Sequence, residues 1–337
     1  MQGKNIKYHL RKKIEDWANS IENEEVKSLV LNKTIITGGA IVSLLQGEIP
    51  HDYDVYFRDP DSLLKVASYC VEKYTSKIEG GRKPVVQRCV WSDTENKWVV
   101  VSGDRKPDER IRIFIASDGI AGINVHENAK EIEYRKDLAK TNHDVMEAHK
   151  ASKEKRMPYE PLYMTNNAIT LNNKIQLILR FYGEPEDIHE NYDFIHCTSY
   201  WTSWNDNLVL PARALEAIIN KELYYVGSKY PLCSIIRTRK FIKRGWTINA
   251  GQYVKMAVQL SELNLKNIHV FEEQLIGVDS AYFNEFLSLL EEKYHNDPDF
   301  DMAGSYLIDL INSVFDKECI DDFAGDVENG QEEENAL

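Results

Sequence analysis

Residues 33–59 read KTIITGGAIVSLLQGEIPHDYDVYFRD, and this stretch decides the fold. The pattern predicts a strand over Thr34–Thr37, a short apolar helix over Ala40–Leu45 and a second strand that carries Asp52 and Asp54. Side chains alternate between the two faces of a strand, so both aspartates should project from the same face of a sheet. Carboxylate oxygens are ligands that divalent cations prefer.

The glycine pair Gly38-Gly39 stands between the first strand and the helix. Glycine lets the backbone approach a ligand closely, and the N–H groups at a helix N-terminus attract an anion. A phosphate-binding turn beside two metal-binding carboxylates is what phosphoryl or nucleotidyl transfer requires. The alternative without a function is a glycine turn with two surface aspartates.

Length and composition indicate a globular protein of roughly two domains, since the chain has 337 residues and is 43% hydrophobic. No run approaches the roughly 18 apolar residues of a membrane span, and the N-terminus lacks the apolar stretch of a signal peptide. We therefore expect a soluble cytoplasmic protein without a membrane partner. Its five cysteines have no metal-binding spacing and are expected to be reduced core residues.

The net charge of −13 is unevenly distributed. From Asp316 to Leu337, nine acidic residues stand against Lys317 alone, so this segment contributes −8 and the rest of the chain −5. Nucleic acid attracts positive surface. The charge thus weakens an RNA-binding interpretation without excluding it.

The hydrophobic pattern predicts an α+β fold in three parts. Residues 1–207 form a domain of strands and helices with a β-rich and charged helical insertion at about 80–160, residues 208–315 form a helical domain, and residues 316–337 form an acidic disordered tail. Predicted helices are 9–28, 61–73, 186–190, 212–221, 231–244, 250–263, 280–294 and 303–315, and 127–157 is a charged helical segment. Predicted later strands are 84–91, 97–102, 110–116, 167–171, 175–181 and 192–197, the first three joined to the core sheet.

The glycine pair, twelve intervening residues and then Asp52-Tyr53-Asp54-Val55 follow the pattern of the DNA polymerase β-like nucleotidyltransferase superfamily, which this chain resembles. The motif looks most like that of the tRNA CCA-adding and bacterial poly(A) polymerase branch. There a glycine pair leads through an apolar helix to Leu-Leu-x-Gly and then Pro-x-Asp-x-Asp. Here the same landmarks read GGAIVSLLQG and EIPHDYDVYF.

This resemblance implies a mixed-sheet nucleotidyltransferase core and a role for each motif residue. Asp52 and Asp54 would bind two divalent metals, Mg²⁺ or Mn²⁺. Gly38 and Gly39 would present N–H groups to the phosphates of an NTP such as ATP, and Ser43 would add a hydroxyl. The superfamily places a third carboxylate on a later core strand. Two candidates are open for it: Asp193, in the predicted strand YDFIHC, and Asp118, directly after RIRIFIAS.

The acceptor of the nucleotide is less defined by the sequence. Where the tRNA branch usually has an Arg-Asp pair, this chain has Val42-Ser43, and the later Arg-Arg-Asp-Phe and Glu-Asp-x-x-Arg segments are missing. An RNA acceptor, with a tRNA 3′ end as one form, is the first hypothesis. The second is a protein side chain or a small molecule, and the third is a nucleotide-binding protein with a degenerate site.

Two further groups of residues bear on the substrate. The segment 237–244 holds five cations, of which Arg237, Arg239 and Lys240 are candidates for phosphate contact, with a solvated helix face as the alternative. Ile242 would face the core. Tyr200, Trp201 and Trp204 could stack a base or pack in the core, and core packing is favoured. His189 and His196 could titrate near neutral pH, although metal activation would leave neither a required role.

Overall fold

The computed structural model describes residues 3–76, 83–92, 94, 97–104, 108–115, 157–265 and 268–275. The chain divides into two compact units, one ending at Asn220 and the other beginning at Lys221. The predicted charged helical segment, apart from Met157, the predicted helices 280–294 and 303–315 and the predicted acidic tail lie outside the described residues. The predicted domain boundary after residue 207 stays a prediction.

The described part of the first unit contains six α-helices, one 3₁₀-helix and ten strands. The helices are α1 (Gly3–Asn19), α2 (Glu24–Lys33), α3 (Gly39–Gln46), α4 (Pro60–Thr75), α5 (Pro185–His189), the 3₁₀-helix (Ile195–Thr198) and α6 (Ala212–Asn220). The strands are β1 (Thr34–Thr37), β2 (Tyr53–Phe57), β3 (Pro84–Ser92), β4 (Lys97–Val100), β5 (Arg110–Ile115), β6 (Pro161–Met164), β7 (Ala168–Leu171), β8 (Ile175–Ile178), β9 (Tyr200–Thr202) and β10 (Asn207–Val209).

Seven of these strands form one mixed sheet in the order β10-β9-β1-β2-β8-β7-β6. Neighbouring strands are antiparallel except β2 and β8, which run parallel. The predicted α+β fold with a mixed sheet is confirmed. Strands β6, β9 and β10 have three or four residues each and were not predicted.

The two faces of this sheet bury different side chains. Tyr53, Val55 and Phe57 of β2 belong to the large core together with apolar residues of α1, α3 and α4. The opposite face carries Tyr56 of β2 and Ile35 of β1, which form a smaller cluster with Ile188 of α5. Because side chains alternate along β2, Asp54 lies on the same face as Tyr56 and its apolar neighbours.

Strands β3, β4 and β5 form a separate sheet in the order β4-β3-β5, so the prediction that they join the core sheet is wrong. One face of the small sheet packs on the large core through Val86, Ile111 and Ile113. Its other face has a cluster of its own that includes Trp98 and Phe114. Side-chain packing, rather than strand pairing, therefore attaches these strands to the first unit.

The predicted helix over 9–28 is two helices in the structure. Helix α1 ends at Asn19, and Asn23 caps α2 by accepting a hydrogen bond from the N–H of Val26 at 3.1 Å. An asparagine side chain that caps a helix competes with helix continuation at that position. By contrast, α4 begins close to where its sequence predicts, with Asp59 as the N-cap of a helix whose first residue is Pro60.

The second unit, as far as it is described, is built from helices. They are α7 (Pro231–Lys243), α8 (Ala250–Ser261) and α9 (Ile268–Leu275), and α7 packs on the other two. The predicted helices over 231–244 and 250–263 are confirmed, whereas α9 was not predicted. None of the described helices is long and apolar enough to cross a membrane.

We predict that Asp206 is important for stability. Its carboxylate accepts the indole N–H of Trp201 at 2.9 Å and lies 3.1 Å from Nη1 of Arg11 and 3.4 Å from Nζ of Lys7. Asp206→Ala should lower the free energy of unfolding by about 2 kcal/mol, because the buried indole N–H loses its acceptor. Asp206→Asn keeps an acceptor and tolerates the positive φ of 49°, so it should cost less than about 1 kcal/mol. Urea unfolding measures both, and equal losses would contradict the prediction.

Candidate functional site

The turn between β1 and α3 requires glycine at its first position. Gly38 has φ 84° and ψ −141°, a conformation that residues with a Cβ rarely adopt. It directly precedes α3, whose residues Ala40, Ile41 and Leu44 are buried in the large core. The apolar side of the helix thus fixes the direction of its N-terminus.

The N–H groups at this helix N-terminus are not equivalent. The N–H of Gly38 donates to the carbonyl oxygen of Cys197 at 3.2 Å. Within the described residues, the N–H groups of Gly39, Ala40 and Ile41 have no hydrogen-bond acceptor. Of the two predicted phosphate donors, Gly39 is therefore the one whose N–H is open in this structure, together with the two residues after it.

The structure brings Gly38 close to one of the two predicted metal ligands. A Cβ built on Gly38 would lie 3.7 Å from Oδ2 of Asp54, whereas nothing lies within 4 Å of a Cβ built on Gly39. Asp54 is half-buried within β2, and Asp52 is exposed directly before this strand. Period-two alternation puts both carboxylates on the face opposite the large core. The glycine turn at the start of α3 thus lies beside the carboxylate of Asp54.

The strand beside β2 contributes an amide rather than a carboxylate. In the parallel pairing of β2 with β8, Asp54 stands opposite Gln176, and Gln176 pairs in turn with Thr170 of β7. Paired residues lie on the same face. The side chains flanking Asp54 on this side are therefore neutral.

Asp193 does not lie on a strand, so the strand predicted over 192–197 is wrong. It lies between α5 and the 3₁₀-helix and is buried, with 5% exposure. Among the described residues, no three His, Cys, Asp or Glu side chains are grouped as a metal site. The role of Asp193 as third carboxylate stays a prediction, and the competing Asp118 lies outside the described residues.

The two histidines of this region are neutral at physiological pH, contrary to the expectation that they titrate near pH 7. Burial lowers the pKa of His189 to about 4, and the charge of Glu186 opposes this effect. Burial likewise lowers the pKa of His196 to about 4, against the opposing charge of Asp193. Neither is a cation at the site.

Three residues beside the glycine turn were not predicted as site residues from the sequence: Thr37, His189 and Tyr192. The Thr37 hydroxyl donates to the carbonyl oxygen of Ser199 at 2.9 Å and lies 2.8 Å from Nε2 of His189. Because that hydroxyl proton is used, the imidazole is the donor of the second bond. The ring of Tyr192 packs on His189 with 5.0 Å between centroids.

The aromatic residues after Tyr192 have packing roles. Trp201 is 1% exposed within the large core, which confirms core packing for it and excludes base stacking. Trp204 lies against Arg58, with 4.3 Å from the guanidinium carbon to the ring centroid, and Arg58 also pairs with Glu184 at 2.6 Å. The Tyr200 ring contacts His189 at 5.6 Å.

The remaining predicted site residues lie on helices. Ser43 is half-buried one turn after the start of α3. Arg237, Arg239 and Lys240 lie on α7 of the second unit, the first half-buried and the other two exposed. Ile242, expected to face the core, is 47% exposed, so that prediction is wrong.

We predict that alanine destabilises the protein at Gly38 but not at Gly39. Gly38→Ala forces a Cβ into the φ 84° conformation and should cost about 1–3 kcal/mol of stability, with weaker nucleotide binding. Gly39→Ala meets open space at the first position of a helix, so it should change stability by less than about 0.5 kcal/mol. Thermal unfolding of the two variants side by side measures this, and equal destabilisation would refute the argument.

We also predict a pH dependence of stability from the histidines. The folded pKa of His189, about 4, lies below its ordinary value of 6.5, so between these values the unfolded chain binds more protons. The stability contribution is full above pH 6.5 and is lost as the pH falls toward 4. His189→Gln should reduce the slope of unfolding free energy against pH, between about pH 5 and 6, by up to about 1 kcal/mol per pH unit. Urea unfolding at several pH values measures the slope, and an unchanged slope would rule out the effect.

Solved structures that match this chain include three at low sequence identity. One is the Thermotoga maritima CCA-adding enzyme complexed with tRNA, with 12% identity and a TM-score of 0.35 over 94% of this chain and 54% of that chain. Another is the Bacillus stearothermophilus CCA-adding enzyme in complex with CTP, with 12% identity and a TM-score of 0.32 over 75% of this chain and 47% of that chain. The third is a tRNA-processing enzyme with CTP, with 11% identity and a TM-score of 0.33 over 86% of this chain and 64% of that chain. This chain spans about half of the first two chains and 64% of the third. TM-scores this low say nothing about activity. No curated protein matches this chain.

A family model gives the assignment. The model described as Gabija anti-defense 2 family protein matches residues 9–221. This range contains the glycine turn, both aspartates and every described strand. It covers more than half of the 337 residues, and the protein therefore belongs to the Gabija anti-defense 2 family.

Proposed function

We propose that this protein is a nucleotidyltransferase that moves NMP from an NTP to an acceptor hydroxyl. The observation that carries the proposal is the 3.7 Å between Oδ2 of Asp54 and a Cβ position on Gly38, at the open N-terminus of α3. An anion held by that helix N-terminus would lie beside the aspartates. Triphosphate and carboxylates would otherwise repel each other, so the arrangement calls for a cation between them.

The donor set fits Mg²⁺ or Mn²⁺. Magnesium is usually bound by one or two carboxylates together with substrate phosphates, and exposed Asp52 and half-buried Asp54 are such a pair. When bound, the metal would neutralise phosphate charge and lower the pKa of the attacking hydroxyl. The chain itself supplies the N–H groups of Gly39, Ala40 and Ile41, which would orient the phosphates. The same proposal includes Asp193 as the third carboxylate.

RNA is the first acceptor that we propose, with a tRNA 3′ end as one form. The exposed Arg239 and Lys240 of α7 support contact with a phosphate backbone. CCA addition itself has no support from the family match.

A protein acceptor is the second candidate, and the family assignment favours it. The family name describes action against the Gabija defence. Modification of a component of that defence would be a direct route to such action. The net charge of −13 also suits a protein acceptor better than a nucleic acid.

We predict that Asp52→Asn and Asp54→Asn each reduce nucleotidyl transfer at least about 100-fold while the protein stays folded, because each removes a charged ligand. The assay uses purified protein, Mg²⁺, each of the four NTPs labelled at the α-phosphate, and an extract of cells that carry the Gabija defence. Products are separated into RNA, protein and small-molecule fractions. Asp61→Asn, at an exposed carboxylate of α4, is the matched control and should retain activity.

Three outcomes of this assay discriminate between the hypotheses. Label in RNA supports the first acceptor, and label that migrates with protein and survives ribonuclease supports the second. Binding of an NTP without label in any fraction would identify a nucleotide-binding protein and overturn the proposed enzymatic function.

A further inference from the structure

The hydroxyl of Tyr192 lies at the point where the glycine turn meets Asp54. A Cβ built on Gly38 would lie 3.5 Å from Oη of Tyr192 and 3.7 Å from Oδ2 of Asp54. The tyrosine hydroxyl and the carboxylate therefore both lie near the same position beside Gly38. The next residue, Asp193, is one of the two sequence-based candidates for the third carboxylate.

The position of the hydroxyl is fixed by neighbours on three elements. Oη of Tyr192 donates to Oη of Tyr56 at 3.2 Å, and Tyr56 lies two residues after Asp54 on the same face of β2. The backbone N–H of Tyr192 donates to the carbonyl oxygen of His189 at 3.0 Å. The His189 imidazole is in turn bonded to Thr37, the last residue of β1. The phenol is thus held in place before any ligand arrives.

The hydroxyl also has a proton to donate. A phenol has an ordinary pKa of about 10, so at neutral pH the group is a hydrogen-bond donor beside a carboxylate. Such a donor suits an anionic oxygen in the same place.

We propose that the Tyr192 hydroxyl is a nucleotide-binding group that donates a hydrogen bond to a phosphate oxygen of the NTP at the N-terminus of α3. This inference rests on the proposed function, because it uses the same phosphate position. A phenol has one proton, so donation to phosphate replaces donation to Tyr56, and the Tyr56 hydroxyl can then donate to Tyr192. The segment after α5 thus contributes a neutral donor to the site.

Tyr192→Phe tests the proposal and Tyr200→Phe is its matched control. Both tyrosine rings pack on His189, at 5.0 and 5.6 Å, but only the Tyr192 hydroxyl lies at Gly38. Calorimetry measures the binding of each Mg²⁺–NTP and of Mg²⁺–tripolyphosphate to the full-length protein. Tyr192→Phe should weaken binding of both probes about tenfold or more, as expected for a lost hydrogen bond to a charged group. Tyr200→Phe should change it less than about twofold.

Kinetic and structural measurements separate binding from folding. For Tyr192→Phe the KM for NTP should rise more than kcat falls. A thermal melt shows whether Tyr192→Phe folds. If it does not fold, probe affinity is measured instead with Tyr56→Phe and with Thr37→Ser, which keeps the hydroxyl. The proposal then expects Thr37→Ser to bind as the wild type and Tyr56→Phe to bind severalfold more weakly, and equal affinities would overturn it.

The controls distinguish failure of this inference from failure of the proposed function. If the wild type binds the probes, Asp54→Asn does not and Tyr192→Phe binds as the wild type, the Tyr192 proposal alone is overturned. Unchanged affinity with lost transfer in Tyr192→Phe also overturns it. If the wild type binds none of the probes, both the function and the inference fail.

Discussion

The antiparallel pairing of β1 with β2 determines which side chains enter the large core and which face the candidate site. Ile36 pairs with Val55 on the core side, while Ile35 pairs with Tyr56 on the other. Because faces alternate along a strand, burial of Val55 directs Asp54 to the site side. A shift of one residue would bury the carboxylate and expose the valine. Hydrophobic burial on one face therefore holds the chemistry on the other.

Local patterns in the sequence were enough to predict β1, α3, β2 and α4, because a glycine turn, an alternating strand and a proline-led helix each depend on adjacent residues. The residues 192–197 were misread because their apolar character is typical of a strand, whereas a turn and a 3₁₀-helix form there. Strands β9 and β10 have three residues each, too few for a periodicity to show. The small sheet was predicted strand by strand, but its separation depends on packing between distant residues.

The candidate site shows the same division between local and distant information. Asp52, Asp54 and the glycine pair stand within one short motif, so their shared face could be predicted. Tyr192 meets Tyr56 across 136 residues of sequence, and nothing near Tyr192 indicates that contact. The low pKa values of His189 and His196 also arise from burial, which depends on the whole fold. Charge at this face consequently comes from carboxylates rather than from imidazolium groups.

The parallel pairing of β2 with β8 has a consequence for how the protein folds. Parallel neighbours cannot be joined by a hairpin, and here the connection runs from Phe57 to Ile175. Strand β9, which completes the other side of β1, follows later still. Contacts of such high sequence separation form slowly, since loop closure must precede them. During synthesis the glycine turn and both aspartates emerge before β8 and β9, so the sheet that orients them closes only after those later strands have been made.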